Sequence, residues 1–214
     1  MLEFTLRNNF IKICGITTVE DARAIASLGA TSVGLILSDS KRRIAPDVAA
    51  TIVDAVRGTV LCTAVVRNES PDYVLDCVET TRVDVVQVHG PLSDELRRQL
   101  RKRNVSIIKA LGVSDDEFFE FDESAVDVVL IDGPSPGSGE RHSWRALAAR
   151  EFRVPVIAAG GLTPDNVADV ISDLGPWGVD VATGVESSPG VKDLTRVSNF
   201  ITRAHDAFLE RGLQ

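Results

Sequence analysis

The chain has 214 residues, 44% of them hydrophobic and 25% charged, with a formal net charge of −8. That length and apolar content suffice for one sizeable packed domain. The acidic balance disfavours nucleic acid as a partner, because phosphate backbones are met by basic faces, and no apolar run approaches the roughly 20 residues of a membrane-crossing helix.

In chain order, the first apolar run is Ile11 to Cys14, interrupted by one lysine and stopped at Gly15. Thr18-Val-Glu-Asp21 follows as an approximate capping box opening an amphipathic helix. The same succession of apolar run, turn and amphipathic segment recurs along the chain. The later runs are Ser32–Leu37, Val60–Val66, Val83–Val88, Ser106–Ala110, Val126–Ile131, Val154–Ala159 and Gly178–Ala182. Most are rich in Val and Ile without polar alternation, which predicts strands covered on both faces. Ser70-Pro-Asp72 and Thr163-Pro-Asp165 each predict an N-cap with proline at the first helical position. Ser114–Phe121 allows only a short fifth helix, and Asp132–His142 reads as a Gly/Pro/Ser loop. Eight such units predict a single-domain α/β protein, a (β/α)8 TIM barrel over residues 11–214 with an N-terminal extension at 1–10. An open doubly wound sheet is the alternative, but the turn after the first strand offers one glycine where that fold usually carries several.

A barrel places chemistry at the carboxyl ends of its strands. Those ends carry Cys14-Gly15, Ser40 to Arg43, Gln87 to Gly90, Lys109, Asp132, Gly160-Gly161 and Asp180 to Glu186. The opposite ends carry the thinner set Thr31, Thr59, Asp84 and Asp127. Gly160-Gly161 before Thr163-Pro164, and Thr183-Gly184 after the eighth strand, could turn backbone N–H groups toward a phosphate; alternatively, both are tight turns and nothing more. Cys14 and Asp132 share one barrel face and could serve as base and acid in a proton transfer. The alternatives are a small buried hydrophobe and a loop-capping aspartate. Cys62 and Cys77 read as buried hydrophobes, inside the third strand and third helix. Arg42 could hold a carboxylate bidentately, or be a solvated member of the Ser40–Arg43 run. His89 could contact a ligand or be a satisfied strand-end histidine. Three scattered histidines and three widely spaced cysteines suggest neither a metal site nor a disulfide framework. No redox-cofactor fingerprint is present, and the N-terminal ten residues lack the pattern of a secretory signal. A cytoplasmic enzyme moving protons on a small phosphorylated molecule without a cofactor is therefore expected.

The motifs "KICGIT", "SKRRIAP", "VQVHG", "IKALGVS", "GSGERHSW", "AAGGLTPDNV" and "GVDVATGVESSPGVKD" together resemble the phosphoribosylanthranilate isomerase family of tryptophan biosynthesis. They run in the family's order over nearly the whole chain from Ile11. The resemblance implies an Amadori rearrangement of N-(5′-phosphoribosyl)anthranilate to 1-(2-carboxyphenylamino)-1-deoxyribulose 5-phosphate. It implies Cys14 as general base and Asp132 as general acid, with Arg42 and Asp180 near the anthranilate. Gly160, Gly161, Thr183 and Gly184 would cradle the phosphate, and His89 is a further substrate-contact candidate. No membrane or nucleic acid is implied as partner, and the chain is expected as a monomer or homodimer. Two departures stand out: Ala182-Thr183 where the family usually has two serines, and Ser143 in place of an acidic residue before Trp144, in a loop a few residues short. A diverged isomerase for a related phosphoribosyl amine, or a non-catalytic barrel that binds a phosphometabolite, are the competing functions.

Overall fold

The computed structural model describes residues 9–112, 121–133 and 152–212. Eight parallel strands close into a barrel: β1 (Phe10–Cys14), β2 (Ser32–Ile36), β3 (Leu61–Arg67), β4 (Val85–His89), β5 (Ser106–Gly112), β6 (Val128–Asp132), β7 (Val156–Ala159) and β8 (Gly178–Val181). Closure is made by β1 against β8, with Ile11 opposite Val179 and Ile13 opposite Val181. The open-sheet alternative is thereby excluded. Outside the barrel lie α1 (Val19–Ser27), α2 (Pro46–Val56), α3 (Pro71–Thr81), α4 (Asp94–Lys102), α5 (Val167–Leu174, between β7 and β8) and α6 (Leu194–Gly212). A short antiparallel hairpin, β9 (Glu186–Ser188) with β10 (Val191–Lys192), follows β8. No helix among the described residues is long and apolar enough to cross a membrane.

The unalternating Val/Ile runs have the expected consequence: each strand is covered on both faces, although the buried strand residues also include Lys12, Ser32, Thr63, Gln87, Lys109 and Asp180. One face fills the barrel with Leu61, Val85, Ile108, Val128, Leu130 and Ile157; the other packs under the helices. Phe10 closes the amino-terminal end of the barrel, its ring stacked 4.9 Å from that of Trp177. The polar residues at that end are pins rather than chemistry. Asp84 accepts the amide of Cys62 at 2.8 Å and Asp127 that of Ile107 at 2.7 Å. Thr31 Oγ1 accepts from Ile11 N and donates to Ile11 O. Each ties one strand end to the next and so fixes the register on which the opposite end depends.

Thr18 caps α1 through the amide of Asp21, and Ser70 caps α3 through that of Tyr73 with Pro71 at the start. The third expected cap is corrected. Helix α5 starts at Val167, not at Pro164, because Asn166 Oδ1 takes the Thr163 amide at 2.8 Å and Asn166 Nδ2 reaches Gly161 O at 3.0 Å. Those bonds fold Thr163–Asn166 into a turn before the helix. A one-turn 3-10 segment, Glu123–Ala125, leads into β6. The short helix expected at 114–121 and the loop expected at 132–142 fall, apart from Phe121, Asp132 and Gly133, outside the described residues, as does the N-terminal extension up to residue 8.

Candidate active site

Residues two apart on a strand point the same way. Cys14, Ile36, Val65, Gln87, His89, Leu130, Asp132 and Asp180 accordingly line one cavity of about 700 Å³ at the carboxyl-terminal mouth of the barrel. Arg42, Gly160, Gly161, Thr183 and Gly184 complete its wall. Every site residue expected from sequence thus reaches a single space. Among the described residues, no three of the His, Cys, Asp or Glu side chains are grouped as metal ligands.

Cys14 ends β1 with 6% of its surface exposed. Burial pushes its thiol above the usual range, and the Asp180 carboxylate adds to that, while the Lys12 and Lys192 ammonium groups pull the other way. Lys12, two residues earlier on the same face, is fully buried and holds Asp180 Oδ1 at 2.9 Å across the β1–β8 closure. The lysine stays charged: burial opposes its proton, but Asp180 and Cys14 together outweigh burial and raise it. Gly34 of β2, opposite Cys14 in register, makes the room. A methyl group there would lie 2.7 Å from Cys14 Sγ and 3.1 Å from Lys12 Nζ.

Arg42 is no solvated member of a basic run. Its Nε and Nη2 meet the two oxygens of Glu186 at 2.8 and 2.6 Å, and Nη2 also reaches Thr183 Oγ1 at 3.1 Å. Gly15 lets it lie there, since a methyl on Gly15 would sit 2.6 Å from Arg42 Cδ. Glu186 in turn accepts from Lys192 Nζ at 2.9 Å and from the Gly190 amide at 3.2 Å. Burial works against the Glu186 charge, yet the hydrogen bonds from Arg42 and Lys192 hold its carboxyl below the ordinary range. The hairpin β9–β10 therefore fixes one edge of the Arg42 fork and leaves the other edge toward the cavity.

Asp132 ends β6, partly buried, beside the turn after β7. Gly160 and Gly161 both have positive φ, 84° and 67°, a region that favours glycine. A methyl on Gly160 would stand 2.5 Å from Asp132 Oδ1 and 2.5 Å from Gly133 O. The turn after β8 nests against it, for a methyl on Gly184 would strike the carbonyl oxygen of Leu162. The two glycine turns form one contiguous wall of backbone, which Arg42 touches at Thr183 Oγ1.

His89 is bonded as a strand-end histidine and also lines the cavity. Its Nε2 lies 2.9 Å from Gln87 Nε2, and its ring faces the cavity. Gln87 is 2% exposed and its Oε1 has no hydrogen-bond partner. Cys62 and Cys77 are buried in β3 and α3 as expected. Sequence reasoning gave no role to Lys12, Glu186 or Lys192, although Glu186 stands in the strand-end set. A lysine two positions before Cys14 in an otherwise apolar strand was the available signal for the first. The other two meet only across a hairpin, which spacing does not reveal.

Residues 11–203 match the family model of N-(5′-phosphoribosyl)anthranilate (PRA) isomerase. The N-(5′-phosphoribosyl)anthranilate isomerase of Geotalea uraniireducens is 41% identical over 201 residues, covering 91% of this chain and 97% of the relative. The crystal structure of phosphoribosyl anthranilate isomerase from Thermotoga maritima superposes with a TM-score of 0.83 at 35% identity, covering 92% of this chain and 99% of the other. A crystal structure of such an isomerase in complex with reduced 1-(o-carboxyphenylamino)-1-deoxyribulose 5-phosphate gives 0.80 at 34% identity, with the same coverage. The chain belongs to the N-(5′-phosphoribosyl)anthranilate isomerase family, the isomerases of tryptophan biosynthesis.

Proposed function

We propose that this chain converts N-(5′-phosphoribosyl)anthranilate to 1-(2-carboxyphenylamino)-1-deoxyribulose 5-phosphate, with Asp132 as general acid and Cys14 as general base. The observation that carries the assignment is the meeting of Cys14, Asp132, Arg42 and both glycine turns in one cavity of about 700 Å³. Asp132 donates its proton to the ribose ring oxygen as the anilino nitrogen's lone pair expels it, which opens the ring to a protonated Schiff base. The Cys14 thiolate then takes the proton from C2′, and the bonding electrons flow into the iminium to leave an enolamine. Tautomerisation to the ketone releases the product. Burial favours the thiol over the thiolate at Cys14, whereas Lys12 and Lys192 favour the thiolate.

The wall of Gly160, Gly161, Thr183 and Gly184 is the phosphate subsite in this reading, reached through backbone N–H groups. Ala182-Thr183 then costs little relative to two serines, since the contact does not depend on hydroxyls. The unoccupied edge of Arg42 meets the anthranilate carboxylate, and His89 and Asp180 line the space between. The substrate is a small phosphorylated molecule, and the residues acting on it need no cofactor for proton transfer. The shortened loop containing Ser143 lies outside the described residues.

Anthranilate fluorescence, followed with freshly generated phosphoribosylanthranilate, tests the assignment. Cys14→Ala and Asp132→Asn should each lose roughly 10²–10⁴-fold in kcat, the range for a lost acid or base. Binding without turnover by the unaltered protein would overturn the proposed activity. Wild-type kcat in either variant would remove that residue from its role.

A further inference from the structure

Three arrangements around this site invite a further reading: the Gln87 Oε1 without a hydrogen-bond partner, the Arg42–Glu186–Lys192 network, and the buried Lys12–Asp180 pair. The last carries an argument furthest. A fully buried ammonium is costly unless something in the fold uses its charge. Asp180 alone does not require it, because replacing a buried ion pair with apolar groups of similar volume is often neutral or stabilising. What distinguishes Lys12 is its neighbour. Its Nζ and Cys14 Sγ crowd the same small volume over Gly34, on adjacent inward-facing positions of one strand. Asp180 Oδ1 at 2.9 Å prevents the ammonium from turning away.

We infer that Lys12 is a positioning residue for the rearrangement: Asp180 holds its ammonium beside Cys14 Sγ, where it stabilises the thiolate that serves as base. The inference rests on the assignment of Cys14 as base. Charged groups face the sulfur from four directions: Lys12 from its own strand, Asp180 from β8, Lys192 from β10 and Arg42 from the loop after β2. Among the three cations Lys12 is singular. Arg42 and Lys192 are both committed to Glu186, while Lys12 is paired with Asp180, whose carboxylate also acts on the thiol. Asp180 accordingly does two things. It anchors the cation, and its own negative charge keeps the thiolate from becoming so stable that it ceases to be a base.

The decisive measurement is the thiolate absorbance of Cys14 near 240 nm as a function of pH, taken as the difference from a Cys14→Ala counterpart so that Cys62 and Cys77 cancel. In Lys12→Met the midpoint should rise by a unit or more, so that the thiolate fraction at a fixed pH below it falls at least about tenfold. The acid limb of kcat/KM should move upward with it, at little change in KM. Lys12→Arg, which keeps the charge, should hold the midpoint nearer to wild type. An unchanged midpoint in Lys12→Met overturns the inference. If Lys12→Met does not fold, Lys12→Gln takes its place: the pH profile of Cys14 alkylation by iodoacetamide should shift to higher pH, and an unshifted profile counts equally against the proposal. The absorbance and alkylation readouts do not depend on turnover. A shifted thiol midpoint together with a fully active Cys14→Ala would instead refute the base assignment and leave the Lys12–Cys14 coupling standing.

Discussion

At the scale of single residues, the site is limited by room as much as by charge. Gly34 illustrates this, because its backbone is ordinary and only the missing side chain matters. An alanine there would put its methyl 2.7 Å from Cys14 Sγ, 3.0 Å from Cys14 Cα and 3.1 Å from Lys12 Nζ. The strand backbone cannot yield, so the sulfur or the ammonium must. Gly34→Ala should cost about 1–3 kcal/mol of stability, as overpacking does, and should lower kcat by more than tenfold through displacement of the thiol. Denaturation midpoints and steady-state rates on one preparation separate the two effects. A variant with wild-type kcat would mean that the position of Sγ is not critical. Cys14 and Asp132 were legible in the sequence because each is a reactive side chain at a strand end. Gly34 was not, since a glycine within a strand gives no sign of what it makes room for until the neighbouring strand is in place.

At the scale of elements, the loops after β7 and β8 and the hairpin β9–β10 turn a generic barrel mouth into a particular site. Their coupling runs through Glu186, whose side chain is 3% exposed and bonded to both Arg42 and Lys192. Glu186→Gln would keep an oxygen for the buried Lys192 ammonium but remove its counter-charge, the other partner being the neutral Ala182 carbonyl at 3.2 Å. Breaking a buried pair in this way costs about 3–5 kcal/mol. It should also loosen the Arg42 fork, so KM should rise more than kcat falls. Adding Lys192→Met to Glu186→Gln should recover most of the stability but none of the KM, because Arg42 stays unanchored. Recovery of both would show that Arg42 needs no anchor. The pair has a pH signature as well. The Glu186 carboxyl is held below its unfolded value, so its contribution is complete above that value and disappears as pH falls through the folded one. Strand positions were readable, with ends shifted by one or two residues, because burial on both faces leaves an unbroken apolar run. The start of α5 was misread at Thr163-Pro164 because Asn166 diverts the Thr163 amide into a turn, a competition that side-chain hydrogen bonding can win over a helix start. The hairpin was not readable at all, being held by ion pairs between loop residues.

At the scale of the whole molecule, the shifted groups divide by pH, and the division predicts a stability profile. Asp54, Glu95, Asp122 and Glu186 all lie below their ordinary range: in the first three, hydrogen bonds from Arg57, Gln99 and Ser124 contribute most. Each binds its proton more weakly in the folded chain, so acid erodes stability. The thiols do the reverse. Cys62 is buried in β3, and desolvation, reinforced by the Asp84 carboxylate, pushes its thiol up to about 12. An unfolded cysteine ionises near 8.5, so between that pH and about 12 the unfolded chain has released a proton that the folded barrel retains. The unfolded state therefore binds fewer protons, and stability must fall as pH rises through that window. Cys14, raised chiefly by its own burial, adds to the same slope. Urea midpoints taken from pH 7 to 11 should decline steadily above about 8.5, and Cys62→Ala should flatten the decline while lowering the plateau by about 1 kcal/mol for the lost packing. Activity should move the opposite way over the first part of that range, since the Cys14 thiolate grows as pH rises. A rate that climbs while the fold weakens would place the working optimum on the alkaline side of neutrality, below the pH at which unfolding overtakes it. If the Cys62→Ala profile kept the full wild-type slope, the alkaline loss would lie with other raised groups, Cys14, Cys77 and Lys12, instead.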